Sequence, residues 1–345
     1  MKKRDIASLT IDELTILMEE FNERSFRGSQ IFQWIHQKNI ESIDEMTNLS
    51  KALREKIKCN FELNKLKIEE KYISNIDKTT KYLFALKDNN IIESVLMHYS
   101  YGNTACISSQ VGCRMGCAFC ASTLEGLIRN LTAGEMLDQI YQIQKDTKEK
   151  VSNIVIMGSG EPLDNLDNIL LFIELINHPK GQNIGQRHIT LSTCGLVDKM
   201  YDLASKKLQI TLAVSLHAPN DAIRRKMMPI AKKYAMDEVL KACHHYIEMT
   251  NRRITFEYAL IDRVNDKKEH ARELGEKLKG MLCHVNLIPM NPVKESIFKE
   301  STSNSVKDFL DILQSYGIQT TVRRKLGSDI DAACGQLRRR YLEKK

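Results

Sequence analysis

Seven short β-rich runs alternate with helical stretches from about residue 100 onward, and this alternation constrains the fold more than any other feature of the sequence. Repeated strand–helix units with connections of this length favour parallel strands with helices packed against them. The runs therefore predict an α/β fold whose parallel sheet closes or nearly closes into a barrel, with its chemistry at the carboxyl ends of the strands. The predicted strands are 104–109, 153–157, 188–192, 209–215, 254–260, 284–289 and 318–322, separated by helices near 132–149, 166–177, 197–206, 236–250, 267–280 and 303–316.

The amino-terminal part has a helical pattern, because apolar residues recur at helical spacing after a capping box made by Thr10 and Glu13. Two apolar runs at 81–86 and 91–97 then flank a polar turn, Asp88-Asn89-Asn90, as expected for a β-hairpin. The predicted parts of the chain are a helical accessory domain at 1–62, a hairpin linker at 63–99, the barrel at 100–322 and a carboxyl-terminal segment at 323–345.

The composition argues against a membrane protein and against a secreted protein held together by disulfide bonds. The apolar runs, such as 169–173, are far shorter than the roughly 18 residues that a membrane-spanning helix needs. Asp5, Ser8 and Asp12 interrupt any apolar stretch behind the basic start, so no secretory signal is predicted. The nine cysteines are therefore expected in a reducing cytoplasm, where they do not form a disulfide framework.

Basic residues exceed acidic residues by 51 to 44, which gives a formal net charge of +7, and many of them stand in short clusters. Such clusters suit the phosphate backbone of a nucleic acid, although any single one could equally be a solvated helix face. The clusters are Arg224-Arg225, Lys232-Lys233, Arg252-Arg253, Arg323-Arg324-Lys325, Arg338-Arg339-Arg340 and Lys344-Lys345.

Three cysteines with the spacing C-x3-C-x2-C, namely Cys113, Cys117 and Cys120, follow the first predicted strand of the barrel. Thiolates this close in one loop can face a common point and bind zinc or an iron–sulfur cluster. Structural zinc sites use four ligands, whereas this loop offers three and the sequence has no second C-x2-C pair. A [4Fe–4S] cluster is therefore favoured, since three cysteines leave one iron open to bind a ligand and pass it an electron. A zinc site and simple packing of the thiols are the alternatives.

Longer motifs around these cysteines resemble one family of radical S-adenosylmethionine (radical SAM) enzymes. From about residue 5 to residue 340 the chain resembles the RlmN family of RNA adenine C2-methyltransferases, with the motifs in order. The resemblance implies a partial (β/α)6-type barrel with an N-terminal helical accessory domain and a linking β-hairpin. The motifs are FRGSQIFQWI at 26–35, CISSQVGC at 106–113, CASTLEGLIRNLTAGEM at 120–136, GSGEPLDN at 158–165 and DIDAACGQL at 329–337.

The resemblance implies methylation of carbon 2 of adenine, at adenine 2503 of 23S rRNA and adenine 37 of some tRNAs. This carbon lies between two ring nitrogens and is too electron-poor to attack a sulfonium methyl group, so a carbon radical is needed. In the family, one S-adenosylmethionine methylates a cysteine, and a second is cleaved reductively to a radical that takes a hydrogen from the S-methyl group. The resulting methylene radical adds to adenine, and a second cysteine resolves the adduct and leaves a transient disulfide.

The same resemblance implies the partners of the chain. They are 23S rRNA, tRNA and a reducing protein such as flavodoxin or ferredoxin. The chain is expected to be a cytoplasmic monomer without membrane attachment.

Matching the motifs residue by residue assigns roles to further side chains. The three cysteines of the loop match the cluster ligands, Cys334 in DIDAACGQL matches the cysteine that carries the methyl group, and Cys106 matches its resolving partner. Glu93 matches a carboxylate assigned as proton acceptor. An ordinary solvated residue of the hairpin is the alternative for Glu93, and the group that removes the adenine C2 proton stays open, because a deprotonated thiol can also act as a base.

The expected S-adenosylmethionine site lies at the carboxyl ends of the strands. A carboxylate directly after a buried strand faces the barrel mouth, where Glu161 could bind the methionyl ammonium group, and Gly160 permits close backbone approach. The remaining positions that match the family's cofactor residues, all at predicted strand ends, are Ser192, Ser215, Leu216, His217 and Asn291. The alternative roles are capping of a strand end or turn for Ser192 and Asn291, and a structural histidine for His217.

The chain departs from the family pattern at Ser159, where a methionine is common, but Gly160 and Glu161 are intact. The related Cfr group shares the cysteines and methylates carbon 8 of adenine. Cfr-like sequences tend to have alanine after the glutamate, so Pro162 favours carbon 2. A carbon-8 methyltransferase and a zinc-stabilised RNA-binding protein without catalysis are the alternatives. The cysteines without partner spacing are expected to be inert and are Cys59, Cys194, Cys243 and Cys283.

Overall fold

A computed structural model describes residues 3–289 and 298–330 of the chain. Two predicted site residues, Asn291 and Cys334, lie outside the described residues. Within the described ranges, no helix combines the length and the apolar character needed to cross a membrane.

The capping boxes at Thr10 and Thr132, both read from the sequence, are present in the structure. In each box the threonine hydroxyl accepts a hydrogen bond from the backbone N–H of a glutamate three residues later, and the glutamate carboxylate accepts one from the threonine N–H. These bonds fix where two helices begin. The helices of the described residues are α1 (Ile11–Glu20), α2 (Phe26–His36), α3 (Lys51–Asn60), α4 (Ala133–Thr147), α5 (Leu166–Asn177), α6 (Val197–Ser205), α7 (Asp221–Met227), α8 (Met236–Thr250), α9 (Lys268–Leu278) and α10 (Ser303–Ser315).

All seven strands predicted for the barrel are present. Their alternation of buried and partly exposed residues, as in the strand at 283–289, matches a sheet covered by helices on one face and facing a cavity on the other. The strands are β1 (Arg4–Asp5), β2 (Phe61–Glu62), β3 (Lys67–Ile73), β4 (Thr80–Ala85), β5 (Ile91–Tyr99), β6 (Gly102–Cys106), β7 (Gln110–Gly112), β8 (Leu127–Asn130), β9 (Val151–Ile156), β10 (Ile189–Thr193), β11 (Thr211–Ser215), β12 (Ile254–Leu260), β13 (Cys283–Pro289) and β14 (Gln319–Val322).

Ten of these strands form one sheet in the order β14-β13-β12-β11-β10-β9-β6-β5-β4-β3. The seven barrel strands are parallel, as predicted, whereas β5, β4 and β3 continue the same sheet in antiparallel fashion. The predicted hairpin is therefore present as β4 and β5, but it widens the barrel sheet. Since β14 and β3 are its two edges in the described part of the chain, the barrel is open.

The amino-terminal part packs against α4 and α5. The Ser8 hydroxyl accepts a hydrogen bond from the Gly134 N–H at 2.9 Å, and His36 Nδ1 lies 2.9 Å from the Tyr141 hydroxyl oxygen. Burial lowers the pKa of His36 to about 3, so this histidine is neutral at ordinary pH. These two hydrogen bonds link the accessory part to α4 at specific atoms, so they favour one orientation of the accessory part on the barrel.

Asp5 gives this interface a pH dependence. Burial raises its pKa to about 7, despite hydrogen bonds that its carboxylate accepts from the N–H groups of Ala7 and Asn64. The folded protein therefore holds this proton more tightly than the unfolded chain, whose carboxyl has a pKa near 3.8. The resulting stabilisation is complete below about pH 4 and is lost as the pH rises through about 7.

We expect Asp5→Asn, which keeps the side-chain shape but cannot ionise, to unfold at higher urea concentration than the wild type at pH 8. The difference should shrink as the pH is lowered towards 4. Urea midpoints measured at pH 5 and pH 8 test this expectation, and a difference independent of pH would contradict it.

Candidate active site

A cavity of about 340 Å³ opens at the carboxyl ends of the barrel strands. Its wall contains the thiols of the cysteine loop, the end of β9 and side chains from β10, β11 and β12. Parallel strands bring these residues to one edge although they are far apart in the chain. The predicted site residues that line the cavity are Cys106, Cys113, Cys117, Cys120, Gly160, Glu161, Ser192, Ser215 and His217.

The cysteine loop is held against α7 by apolar contacts and a backbone hydrogen bond. Met115, Cys117 and Phe119 pack on a small buried cluster that includes Met227. The Ala118 N–H donates to the Met227 carbonyl oxygen at 2.9 Å. Anchoring by α7 keeps the loop folded over the cavity and holds its thiols at the wall.

The three loop thiols fit an iron–sulfur cluster by their chemistry and position. Burial is the main cause that raises the pKa of Cys113 to about 12 and that of Cys117 further, and the charges of neighbouring loop thiols raise both values. Thiols that affect one another in this way lie close together, and cluster binding must displace their protons. In the part of the chain that the structure describes, no group of three or more His, Cys, Asp or Glu side chains is arranged to hold a single metal ion.

Glu161 joins the ends of two neighbouring strands. Its carboxylate accepts a hydrogen bond from the Cys194 N–H at 2.7 Å, after β10, and one from the Leu163 N–H at 3.1 Å. Burial raises the pKa of Glu161, and these hydrogen bonds oppose the shift. Two backbone donors occupy only part of the capacity of a carboxylate, so Glu161 can still accept hydrogen bonds from an ammonium group in the cavity.

The turn before Glu161 requires glycine for steric reasons. A Cβ atom on Gly158 would lie 2.7 Å from the Ile107 carbonyl oxygen and 2.7 Å from the Ser108 hydroxyl. At Gly160, where φ is +112°, a Cβ would lie 2.8 Å from the Gln110 backbone nitrogen. Both glycines therefore let the ends of β6 and β9 meet next to the cavity.

We expect Gly158→Ala to destabilise the protein by about 1–3 kcal/mol, because the added methyl group forces the two strand ends apart. Gly185→Ala is the matched control, since its Cβ would meet only His188 Cδ2 at an ordinary 3.6 Å. Urea unfolding of both variants measures the effect. Equal stability of the two variants would show that the strand ends can separate without cost.

His217 presents a defined proton to the cavity. Its Nδ1 accepts a hydrogen bond from the Ala259 N–H at 2.9 Å. Burial lowers the pKa of His217 to about 3, so the ring is neutral and its proton must be on Nε2. The ring also packs edge-on against Phe119 of the cysteine loop, with ring centroids 4.8 Å apart. His217 therefore offers a hydrogen-bond donor to a ligand while it contacts the cysteine loop.

The other strand-end predictions differ in position. Ser192 and Ser215 line the cavity from β10 and β11. Leu216 is fully buried in the main apolar core, and its N–H donates to the Glu257 carbonyl oxygen. Any contact of Leu216 with a ligand would thus have to involve its backbone.

Cys106 ends β6 and lies in the wall of the same cavity as the three loop thiols. It packs in a small apolar cluster with Val95, Met97 and Leu326. Leu326 stands eight residues before Cys334 in the sequence. The carboxyl-terminal segment therefore comes against Cys106 shortly before Cys334, although the two cysteines are 228 positions apart.

A tether holds this carboxyl-terminal segment on the turn between β3 and β4. The Asp329 carboxylate accepts hydrogen bonds from the Ser74 hydroxyl at 2.7 Å and from the Asn75 N–H at 2.9 Å. The Gly327 N–H donates to Asp77 Oδ2 at 2.9 Å. The segment thus crosses from β14, at one edge of the sheet, to the antiparallel extension at the other.

Glu93 is buried on β5 and forms an ion pair with Lys81 of β4 at 3.2 Å, with both side chains almost completely removed from solvent. The alternative of a solvated residue is therefore wrong for Glu93. The side chain does not belong to the cavity wall itself, but it lies two positions before Val95, which does. On a strand, this spacing places Glu93 and Val95 on the same face of the sheet.

A second buried carboxylate, Glu257 on β12, lies in the cavity wall and was not predicted. In the register of the sheet it stands between Ser215 of β11 and Asn286 of β13, whose side-chain amide donates to Glu257 Oε2 at 2.9 Å. Burial raises its pKa. The sequence around Glu257 forms no recognisable motif, because the residue lies in the middle of a strand. The available signal was its spacing of two residues from Ala259, near the predicted strand end, which places both residues on the same face of β12.

The backbone of Cys194 and the side chain of Arg224 have roles beneath the cysteine loop that the sequence patterns did not indicate. Cys194, expected to be inert, lines the cavity, and its backbone binds Glu161. Arg224, predicted as part of a phosphate-binding cluster, is completely buried and donates to the Cys194 carbonyl oxygen at 2.8 Å. Its charge favours the thiolate form of Cys117. Arg224 therefore belongs to the support of the cysteine loop, because an arginine doublet alone cannot tell which residue faces the core.

Two family profiles match the chain. "Ribosomal RNA large subunit methyltransferase N-terminal domain" matches residues 4–63, and "Radical SAM superfamily" matches residues 107–275. These two ranges contain the accessory helices and most of the barrel with its cysteine loop.

Whole-length relatives agree with these profiles. A protein of Clostridium novyi (strain NT) named "Probable dual-specificity RNA methyltransferase RlmN" is 55% identical over 339 residues, covering 98% of this chain and 99% of that protein. Its counterpart with the same name in Alkaliphilus oremlandii (strain OhILAs) is 58% identical over 343 residues, covering 99% and 100%. The crystal structure of a radical SAM methyltransferase from Sphaerobacter thermophilus superposes with a TM-score of 0.92 at 41% identity, covering 96% of this chain and 98% of that one.

Proposed function

Because this chain belongs to the RlmN family of radical SAM RNA methyltransferases, we propose that it methylates carbon 2 of adenine 2503 in 23S rRNA and of adenine 37 in some tRNAs. The observation that carries the proposal is one cavity that collects three loop thiols, Cys106 and the segment leading to Cys334. Methylation of an unreactive ring carbon needs both a redox cluster and a cysteine that carries the methyl group.

The radical SAM family uses a [4Fe–4S] cluster and S-adenosylmethionine. When bound, they supply an electron and a radical source. Cys113, Cys117 and Cys120 are the proposed cluster ligands, and Gly160 and Glu161 would hold the methionyl ammonium group. The Nε2–H of His217 and the hydroxyls of Ser192 and Ser215 would orient polar groups of the cofactor. The backbone of Leu216 and the residue Asn291 are proposed to contribute to the same site.

Cys334 is proposed to carry the methyl carbon to adenine, and Cys106 to release the product. The thiolate of Cys106 attacks the sulfur of Cys334, a disulfide forms, and the bond between that sulfur and the methylene carbon breaks. The electron pair passes to the carbon, which takes a proton to become methyl. The contact of Leu326 with Cys106 supports this pairing, because it brings the chain close to Cys106 eight residues before Cys334. A reducing protein such as flavodoxin or ferredoxin must then supply electrons for the next cycle.

Removal of the adenine C2 proton is proposed for Glu93. Its carboxylate lies on the cavity face of β5 beside Lys81, which can stabilise the ionised form that a base requires. Glu257 is a second candidate, because it is a buried carboxylate in the cavity wall itself. The variants Glu93→Gln and Glu257→Gln distinguish the two candidate bases. Only the variant that lacks the true base should halt the reaction after the carbon–carbon bond has formed.

The decisive experiment compares RNA from a strain that lacks the gene with RNA from the same strain carrying it. Mass spectrometry of nucleosides from 23S rRNA and tRNA should detect 2-methyladenosine only when the gene is present. Finding 8-methyladenosine instead would support the Cfr-like alternative, which Pro162 disfavours. If 23S rRNA is modified and tRNA is not, the substrate of the enzyme is 23S rRNA alone.

A further inference from the structure

An exposed aromatic pair stands beside the cavity. Tyr99, at the end of β5, and Tyr101, in the turn to β6, stack with ring centroids 4.9 Å apart and an angle of 9° between the ring planes. Tyr99 is half-buried, whereas 68% of Tyr101 is exposed to solvent. Aromatic rings usually bury both faces in a hydrophobic core, whereas the ring of Tyr101 lies open to solvent.

The inner tyrosine connects this pair to the cavity. The Tyr99 hydroxyl donates to Met97 Sδ at 3.6 Å, and Met97 lines the cavity. Tyr99 also packs against the apolar cluster that contains Cys106 and Leu326. The stacked rings therefore run from the proposed resolving cysteine to the protein surface.

Cations stand at the same edge. Arg323, Arg324 and Lys325 follow β14, line the cavity and are exposed. Leu326, two residues after Arg324, belongs to the apolar cluster against which Tyr99 packs, so the segment that carries these cations passes beside the aromatic pair. The charge of Arg323 acts on the buried Glu257 carboxylate, where it opposes the rise in pKa, and Lys325 forms an ion pair with Glu300, so Arg324 is the cation of the three that we assign to an anion from outside.

We propose that this edge, formed by Tyr99, Tyr101 and Arg324, binds the single-stranded RNA next to the target adenine, with a neighbouring base stacked on Tyr101 and its phosphate on Arg324. The inference rests on the proposed function and specifies where its RNA substrate enters. Single-stranded RNA is bound by aromatic faces and basic side chains together, and the pairing of both at a cavity edge matches that chemistry. An acidic protein partner would use the cations but would not need the exposed ring.

The test uses the holoenzyme under anaerobic conditions and a fluorescein-labelled stem-loop RNA with an adenine in its single-stranded loop. Fluorescence anisotropy should give a dissociation constant about tenfold higher for Tyr101→Ala, whereas Tyr101→Phe, which keeps the ring, should bind like the wild type. Arg324→Ala should also weaken binding. It should reduce the slope of log Kd against log salt concentration by nearly one, the amount expected for the loss of one phosphate contact. The salt dependence of Tyr101→Ala should stay that of the wild type.

Tyr201→Ala is the matched control, because Tyr201 is also exposed and packs against another ring, His245, but lies on α6 outside the cavity wall. Thermal unfolding of each variant tells a loss of binding from a loss of fold. Unchanged affinity of Tyr101→Ala, or equal weakening by Tyr101→Phe, would overturn the inference while leaving the proposed function intact. Slower cluster reduction by flavodoxin with unchanged RNA affinity would assign the edge to a protein partner instead. A wild type that binds no RNA would overturn the proposed function itself.

Discussion

Cys117→Ser is expected to remove the iron–sulfur cluster and, with it, all RNA methylation. Serine has nearly the size of cysteine but offers no thiolate, and two remaining ligands cannot hold a cube that needs at least three. The apolar packing of the loop against α7 should survive, because it depends on Met115 and Phe119 as well. The variant should therefore fold, but stay colourless after anaerobic reconstitution.

Iron and sulfide analysis measures this effect directly. The wild type should contain about four of each per chain and the variant almost none. Cys59→Ser is the control, since Cys59 is an exposed thiol on α3 outside the cavity and should keep both cluster and activity. A wild type with one zinc per chain and no iron would refute the assignment of the loop thiols to an iron–sulfur cluster.

Cys106→Ala is expected to stop the reaction after one turnover, with RNA covalently attached to the protein. Without a thiol at this position nothing attacks the sulfur of Cys334, so the link between that sulfur and the methylene carbon persists. Denaturing gels of the protein incubated with labelled RNA should show a shifted band whose amount equals that of active protein. Product release should fall to the background.

Two further variants separate the roles of the cysteines. Cys334→Ala should give neither crosslink nor methylated RNA while it retains the cluster. The double variant Cys106→Ala/Cys334→Ala should behave in the same way. Cys283→Ala, which removes a buried thiol of β13 outside the cavity wall, should be unaffected in this assay. A crosslink that persists in Cys334→Ala would show that another residue carries the methyl carbon.

Much of this fold could be predicted because its signals are local. Strand periodicity located all seven parallel strands, and the capping threonines located two helix starts correctly. The C-x3-C-x2-C spacing indicated the cysteine loop, and a glutamate after an apolar strand indicated the polar end of the cavity. Each of these features depends on residues within one turn or one strand.

What the sequence could not supply depends on contacts between distant segments. The antiparallel extension of the sheet is set by pairing of β5 with β6, and a hairpin pattern looks the same whether or not its edge finds a partner. Burial of Arg224 depends on carbonyl oxygens from other elements, such as that of Cys194. Glu257 is recognisable as a cavity residue only once β11 and β13 stand on either side of it.

The tether between Asp329 and the turn at Ser74 can form only late in the synthesis of the chain. These residues are separated by 255 positions, so the contact cannot form until almost the whole chain has been synthesised. The cysteine loop and the neighbouring strands β6 and β9 are complete much earlier. The α7 anchor of the loop follows at Asp221–Met227, still about 100 residues before Asp329, so the cysteine loop can be held in place before the tether exists. A frameshift before Asp329 would therefore remove both the tether and Cys334 while the three loop cysteines stay in the chain.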